Sequence, residues 1–145
     1  MTSWDADLAG VVELPGGRRV RGRGLRATMP VGAALPQFGV YLTARPHIEP
    51  GWESRWVQWP DFLLPHSASQ AIDALGEAYE RSATMRVEIA CGGGTGRTGT
   101  GLALLARYAG VPAEDAVAWV RAHYRARAVE TPWQRRFVER VVIPR

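Results

Sequence analysis

Cys91-Gly92-Gly93-Gly94-Thr95-Gly96-Arg97-Thr98-Gly99-Thr100, or CGGGTGRTGT, is the stretch on which the reading of this chain turns. It follows the apolar run Met85 to Ala90, which reads as a strand, and it leads into Thr98 to Ala109, which reads as a helix stopped by Gly110. Glycine at 92, 93, 94 and 96 frees the backbone to curl its N–H groups inward around one anion. A loop at the end of a strand and the start of a helix also gains the partial positive charge of the helix N-terminus. The nucleotide-binding version of such a loop, G-x-x-x-x-G-K-[ST], is excluded. Cys91 stands at its first glycine, Arg97 stands at its lysine, and the chain contains no lysine at all.

Outward from the loop, the pattern alternates. Val11 to Leu14 and Arg18 to Leu25 read as two short strands around the turn Pro15-Gly16-Gly17. Phe38 to Thr43 and Arg55 to Trp59 read as further strands, the second stopped by Pro60. Ser67-Ala-Ser-Gln70 is a capping box that opens a helix to about Ser82. Pro112 opens another helix, to about Arg127, and Thr131-Pro132-Trp133-Gln134 caps a last one, to about Val141. Strands alternating with helices predict an α/β fold, a single domain over 1–145. Its central, mostly parallel sheet is flanked by helices, with the phosphate-binding loop at a strand-to-helix junction. Ligands bind at the carboxyl ends of the strands in such sheets.

The bulk numbers agree with that plan. At 145 residues and 46% hydrophobic, the chain supplies the core of one domain without a disulfide staple. It has one cysteine, so no internal disulfide forms, and no apolar run approaches the ~18 residues of a membrane span. Without a basic signal-like N-terminus, a cytoplasmic location is expected. His47, His66 and His123 lack metal-ligand spacing, so neither metal nor cofactor is expected. All 18 basic residues are arginine. Arg18, Arg19, Arg21, Arg23 and Arg26 form a cluster that would suit nucleic acid or an acidic partner, but the solvated face of a strand is the favoured reading, and nucleic acid is not expected as a partner.

The chemistry of the loop lies in Cys91 and Arg97. A ring of inward N–H groups favours a thiolate, the nucleophilic form of cysteine. Arg97 adds a planar fork for two phosphate oxygens. Thr98 can donate its hydroxyl to the sulfur and help it depart. A lone cysteine after a strand is more often a buried structural thiol, but the arginine six positions on, followed by Thr98-Gly99, reverses that balance. Upstream, Trp59-Pro60-Asp61 offers a carboxylic acid on a loop, which can protonate a departing oxygen. As an isolated motif it is equally a strand-ending turn.

Cys91-x5-Arg97-Thr98 with an upstream Trp59-Pro60-Asp61 resembles the cysteine-dependent protein tyrosine phosphatases, particularly the small dual-specificity-like bacterial members. The resemblance spans about Phe38 to Val141. It implies hydrolysis of a phosphomonoester through a phosphocysteine intermediate, with Cys91 as nucleophile, Asp61 as acid and then base, and no metal. The phosphate would be held by Gly92, Gly93, Gly94, Thr95, Gly96 and Arg97. Val129-Glu130-Thr131-Pro132-Trp133-Gln134 is similar to the family's glutamine loop, which makes Gln134 a candidate to place the hydrolytic water. Glu130 occupies a position where glutamine is common, and Thr131-x-x-Gln134 is equally a capping box. The residue before the nucleophile, usually histidine in the family, is Ala90, and Ala126 replaces a usual proline. The resemblance implies a phosphorylated protein as substrate, phosphotyrosine first. The alternatives are a small phosphorylated metabolite and a non-catalytic phosphoprotein-binding module.

Overall fold

The computed structural model describes residues 2–29 and 32–144. Its sheet contains β1 (Val11–Glu13), β2 (Arg19–Gly24), β3 (Phe38–Thr43), β4 (Glu53–Gln58) and β5 (Val87–Cys91), in the spatial order β1-β2-β5-β3-β4. The β2–β5, β5–β3 and β3–β4 pairs are parallel, and only the edge strand β1 runs antiparallel to its neighbour. The last strand in sequence is thus the middle strand in space. It separates β2 from β3, which are consecutive in the chain, and this is the switch point where an open α/β sheet leaves a crevice. Cys91 is the final residue of that strand.

Four helices complete the fold: α1 (Ala68–Arg81), α2 (Gly96–Tyr108), α3 (Ala116–His123) and α4 (Pro132–Arg140). Ser67 caps α1 by accepting from the Gln70 amide, one half of the capping box the sequence motif predicts; the reciprocal bond from the Gln70 side chain is not made. α1 packs on β3 and β4, α2 packs on β2 and β5, and α3 and α4 lie against α2. α2 approaches the sheet closely because Gly101 faces it. A Cβ there would lie 3.2 Å from both Ile89 and Leu42 side chains. Residues from Gly96 to Ala106 of this helix are all buried, so the helix that begins at the phosphate loop is also the centre of the core.

Two expectations change. The helix expected from Pro112 to about Arg127 begins with a 3-10 turn at Ala113–Asp115 and ends at His123. Beyond it the chain turns back, with Arg121 donating to the Ala128 and Val129 carbonyls at 2.8 and 2.7 Å and Val129 at φ 65°. The second correction concerns the arginine cluster, expected as a solvated strand face: Arg21 and Arg23 turn inward to a buried carboxylate, while Arg26 is exposed. β2 pairs with β5 in a register that sets Arg21 opposite Glu88. Glu88 is fully buried and accepts from Arg21 Nη2 at 2.6 Å, from Arg23 Nε and Nη2 at 2.6 and 2.9 Å, and from the Tyr41 hydroxyl at 2.9 Å. Burial pushes the Glu88 carboxyl up, but the hydrogen bonds and charges of Arg23 and Arg21 outweigh it and hold the group below the usual range. Arg21 also stacks over the Trp4 ring at 4.2 Å, while Arg18 donates to the Tyr79 carbonyl at 2.6 Å. Glu88 precedes Ile89 and so points to the face of the sheet away from α2, which this polar network and Trp4 close.

Candidate active site

The loop from Cys91 to Gly96 curls because its carbonyls are held from outside. Tyr124, at the end of α3, donates its hydroxyl to the Gly94 carbonyl at 2.6 Å. Arg125 donates to the Gly93 carbonyl at 3.1 Å and to Thr95 Oγ1 at 2.9 Å. With those oxygens engaged outward, the loop amides are left for the inside, and the Gly94 amide reaches Cys91 Sγ at 3.2 Å. Gly94 sits at φ 78°, a conformation that side-chain-bearing residues rarely adopt, and a Cβ there would lie 2.5 Å from the Gly24 amide. Burial pushes the Tyr124 phenol up to about 12, so it remains a donor throughout the neutral range.

Cys91 lies at the floor, 2% exposed, and its sulfur accepts from the Thr98 hydroxyl at 3.0 Å. Both donors stabilise negative charge on sulfur. Arg97, 5% exposed, donates from Nη1 to the Trp59 carbonyl at 3.0 Å, and its Nε lies 3.5 Å from Asp61 Oδ1 without a hydrogen bond. That contact draws the acid loop over the phosphate loop. Trp59 is fully buried, donates to the Leu63 carbonyl at 2.7 Å and meets Phe137 of α4 edge-on. Trp133 donates to the Phe62 carbonyl at 2.5 Å, a second tie between α4 and the same loop.

These groups enclose a cavity of about 140 Å³ lined by Arg26, Asp61, Phe62, Cys91, Gly93, Thr95, Gly96, Arg97 and Glu130. That is below the ~300 Å³ at which pockets for drug-sized ligands begin, so the cavity suits a single small group such as a phosphoryl group. The first turn of α2 opens into it, and Thr95 makes no side-chain cap, leaving helix N-terminal amides free for an anion.

The model of the protein-tyrosine phosphatase family matches residues 43–143. This chain belongs to that family. Among solved structures it is similar to Tk-PTP in its active form, at 30% identity over 71% of this chain and 75% of that one, with a TM-score of 0.60. It is also similar to a glycine-to-alanine mutant form of Tk-PTP, at 28% identity over 72% and 75% of the two chains, with a TM-score of 0.61. No curated protein matches the sequence. The protein is therefore a cysteine-dependent hydrolase of the protein-tyrosine-phosphatase type, acting on phosphorylated substrates.

Of the residues singled out from the sequence, Cys91, Gly93, Thr95, Gly96, Arg97 and Asp61 line the phosphatase cavity, Gly92 and Gly94 complete the loop, and Thr98 reaches the sulfur from below. Gln134 does not join them. It is fully buried, its Oε1 accepts from the Glu130 and Thr131 amides at 3.0 and 3.3 Å, and its Nε2 donates to the Leu63 carbonyl at 3.2 Å. Thr131 and Gln134 form the reciprocal capping box of α4, so this side chain closes a helix and bonds the loop that carries Asp61. Glu130 takes the place by the cavity. A Cβ at Gly96 would overlap its carboxylate, so the glycine is what admits it. Sequence reasoning gave Glu130 only a family position, and Tyr124, Arg125 and Arg26 no site role. Tyr124 and Arg125 lie in the segment expected to be helical, which hid that the chain turns there toward the loop.

Proposed function

We propose that this phosphatase hydrolyses phosphotyrosine in proteins through a phosphocysteine intermediate, with dual specificity as the wider form of the same reading. The observation that carries it is that Cys91 Sγ, the Arg97 guanidinium and the Asp61 carboxylate face one cavity sized for a phosphoryl group. The Cys91 thiolate attacks phosphorus. The S–P bond forms as the P–O bond breaks, and Asp61 delivers a proton to the departing oxygen. Water then attacks phosphorus, the electron pair of the S–P bond returns to sulfur, and a carboxylate takes the water's proton. Asp61 and Glu130 both border the cavity, and Glu130 replaces Gln134 as the group that orients the water. Arg97 and the loop amides hold the three equatorial oxygens, where transition-state charge resides. Thr98 steadies the leaving sulfur.

Phe62 favours an aromatic ester. It is half exposed and lines the cavity, where an aromatic leaving group can pack on it. We also place this phosphatase, one domain over 1–145, in the cytoplasm, where its single thiol stays reduced. No helix among the described residues is long and apolar enough to cross a membrane.

The test is turnover of p-nitrophenyl phosphate in EDTA with inhibition by vanadate, followed by Asp61→Ala across leaving groups. A tyrosine leaving group has a pKa of ~10 and needs the proton, so phosphotyrosine cleavage should fall ~10²–10⁴-fold. An aryl phosphate with an already acidic phenol should lose much less. Equal losses across leaving groups would remove Asp61 from the acid role.

A further inference from the structure

At Gly24 β2 ends in a turn, closed by the Ala27 amide donating to the Gly24 carbonyl at 3.1 Å. The Leu25 amide donates to the Cys91 carbonyl at 2.8 Å and the Arg26 amide to the Gly92 carbonyl at 3.1 Å. These two bonds tie the turn after β2 to the phosphate loop and fix the Arg26 backbone beside it. Close approach is possible because residue 24 is glycine, where a Cβ would lie 2.7 Å from the Gly93 carbonyl oxygen. Arg26 is thus held in place by its own main chain, although its side chain is exposed.

That side chain lies over the loop. A Cβ at Gly92 would stand 3.0 Å from Arg26 Nη2 and 3.5 Å from Arg97 Nη2, so two guanidinium groups converge on one point. Arg97 has Asp61 at 3.5 Å. Among the described residues the Arg26 guanidinium has no hydrogen-bond or ion-pair partner. On the far side of Gly93, Arg125 bonds only a carbonyl and a hydroxyl, which leaves its charge uncompensated as well. Of the two carboxylates of the cavity, Glu130 lies over Gly96, and Asp61 meets Arg97 at its Nε, leaving the Arg97 Nη2 that faces Gly92 without a carboxylate. The mouth is polarised, with free cationic charge on the Gly92–Gly93 side and a carboxylate on the Gly96 side.

We propose that Arg26, paired with Arg97 across Gly92, forms a subsite for a second anionic group, so that the phosphatase selects phosphomonoesters carrying a carboxylate or a further phosphate next to the ester being cleaved. This rests on the phosphatase reading above. Arg97 takes the transferred phosphoryl group. Arg26 takes the neighbouring anion, with Arg125 adding to the field on the same side. A guanidinium at 26 also supplies positive charge at the loop where Ala90 gives none.

Two measurements test the subsite separately from the chemistry. The first is binding of inorganic phosphate and of pyrophosphate by calorimetry, which needs no turnover. Pyrophosphate should bind at least ~10-fold tighter, and Arg26→Ala and Arg26→Gln should both erase that preference, the scale of one charged hydrogen bond. Raising salt should shrink it, since Arg26 is exposed. The second is the ratio of kcat/KM between phosphotyrosine peptides that differ only next to the phosphotyrosine: glutamate against glutamine, and a second phosphotyrosine against tyrosine. The two peptide pairs tell a carboxylate source from a phosphate source. The wild type should favour the anionic member, Arg26→Ala should lower the ratio about 10-fold or more through KM, and Arg26→Glu should invert it. Equal binding of phosphate and pyrophosphate, or ratios unchanged in the Arg26 variants, would overturn the subsite. Failure to turn over p-nitrophenyl phosphate with the pyrophosphate preference intact would overturn the enzymatic mechanism and leave the anion pair standing.

Discussion

Two pairs of arginines in this chain are used in opposite ways, although Arg23 of one and Arg26 of the other stand three residues apart. Arg21 and Arg23 turn to one face of β2 and converge on the buried Glu88, which also accepts from Tyr41. Their charge is consumed inside the protein. Arg26 and Arg97 converge on Gly92; among the described residues Arg26 has no partner, and the only carboxylate Arg97 meets is that of half-exposed Asp61, at 3.5 Å and without a hydrogen bond. Their charge is left for something that arrives. A guanidinium neutralised internally helps to specify the fold. One that lines a small cavity beside loop amides, a thiol and a helix N-terminus, with no carboxylate hydrogen-bonded to it, marks where an anion binds. Composition treats all of these arginines alike, and the register of β2 against β5 separates them.

Substitutions in each pair should move different observables. The largest effect is expected in the closed network. Glu88→Gln removes the charge that both arginines face and leaves two cations uncompensated in the interior, which should cost about 3–5 kcal/mol of unfolding free energy. Urea denaturation reads this directly, and a loss under about 1 kcal/mol would mean that water reaches the network. The pH dependence has a definite sign. Arg23 and Arg21 hold the Glu88 carboxyl below its ordinary value of 4.5, so its contribution is complete above that pH and is lost as pH falls through the lower folded value. Wild-type stability should therefore drop below about pH 4 more steeply than that of Glu88→Gln.

The open pair should respond in rate rather than in stability. Arg97→Lys keeps the charge but loses the fork, and turnover should fall at least ~100-fold, the scale of losing one transition-state donor, with the urea midpoint little changed. If only KM moved, Arg97 would be binding the ground state and transition state alike. The smallest effect is expected behind the loop. Tyr124→Phe removes the donor that holds the Gly94 carbonyl outward, a change worth about 0.5–1.5 kcal/mol. It should appear as a several-fold loss in kcat/KM with phosphotyrosine. An unchanged rate would show that Arg125 and the strain-free glycine backbone suffice to shape the loop.

The alternation of strands and helices was legible from end to end, because period and caps are local properties: Ser67 and Thr131 cap α1 and α4 where the sequence places them. Cys91, Arg97 and Thr98 were legible because they share one loop, whose five intervening residues leave few ways to curl. Asp61 was legible as a motif on a strand end. What the sequence could not show depended on which strands pair and where helices stop. The Glu88 network exists because β5 inserts between β2 and β3 in one register, and sequence spacing does not report a parallel pairing across more than sixty residues. α3 stops at His123 because Tyr124 and Arg125 gain hydrogen bonds to the phosphate loop that a continued helix would forgo. Gln134 is turned away from the cavity and Glu130 toward it for a similar reason. The capping box is a local pattern and took the glutamine, while the position beside the cavity was decided by how the turn before α4 meets Gly96. Local chemistry determined the nucleophile and its cradle. The partners of each charge were decided by tertiary structure, because a buried or converging charge is defined by what the fold brings within about 3 Å of it.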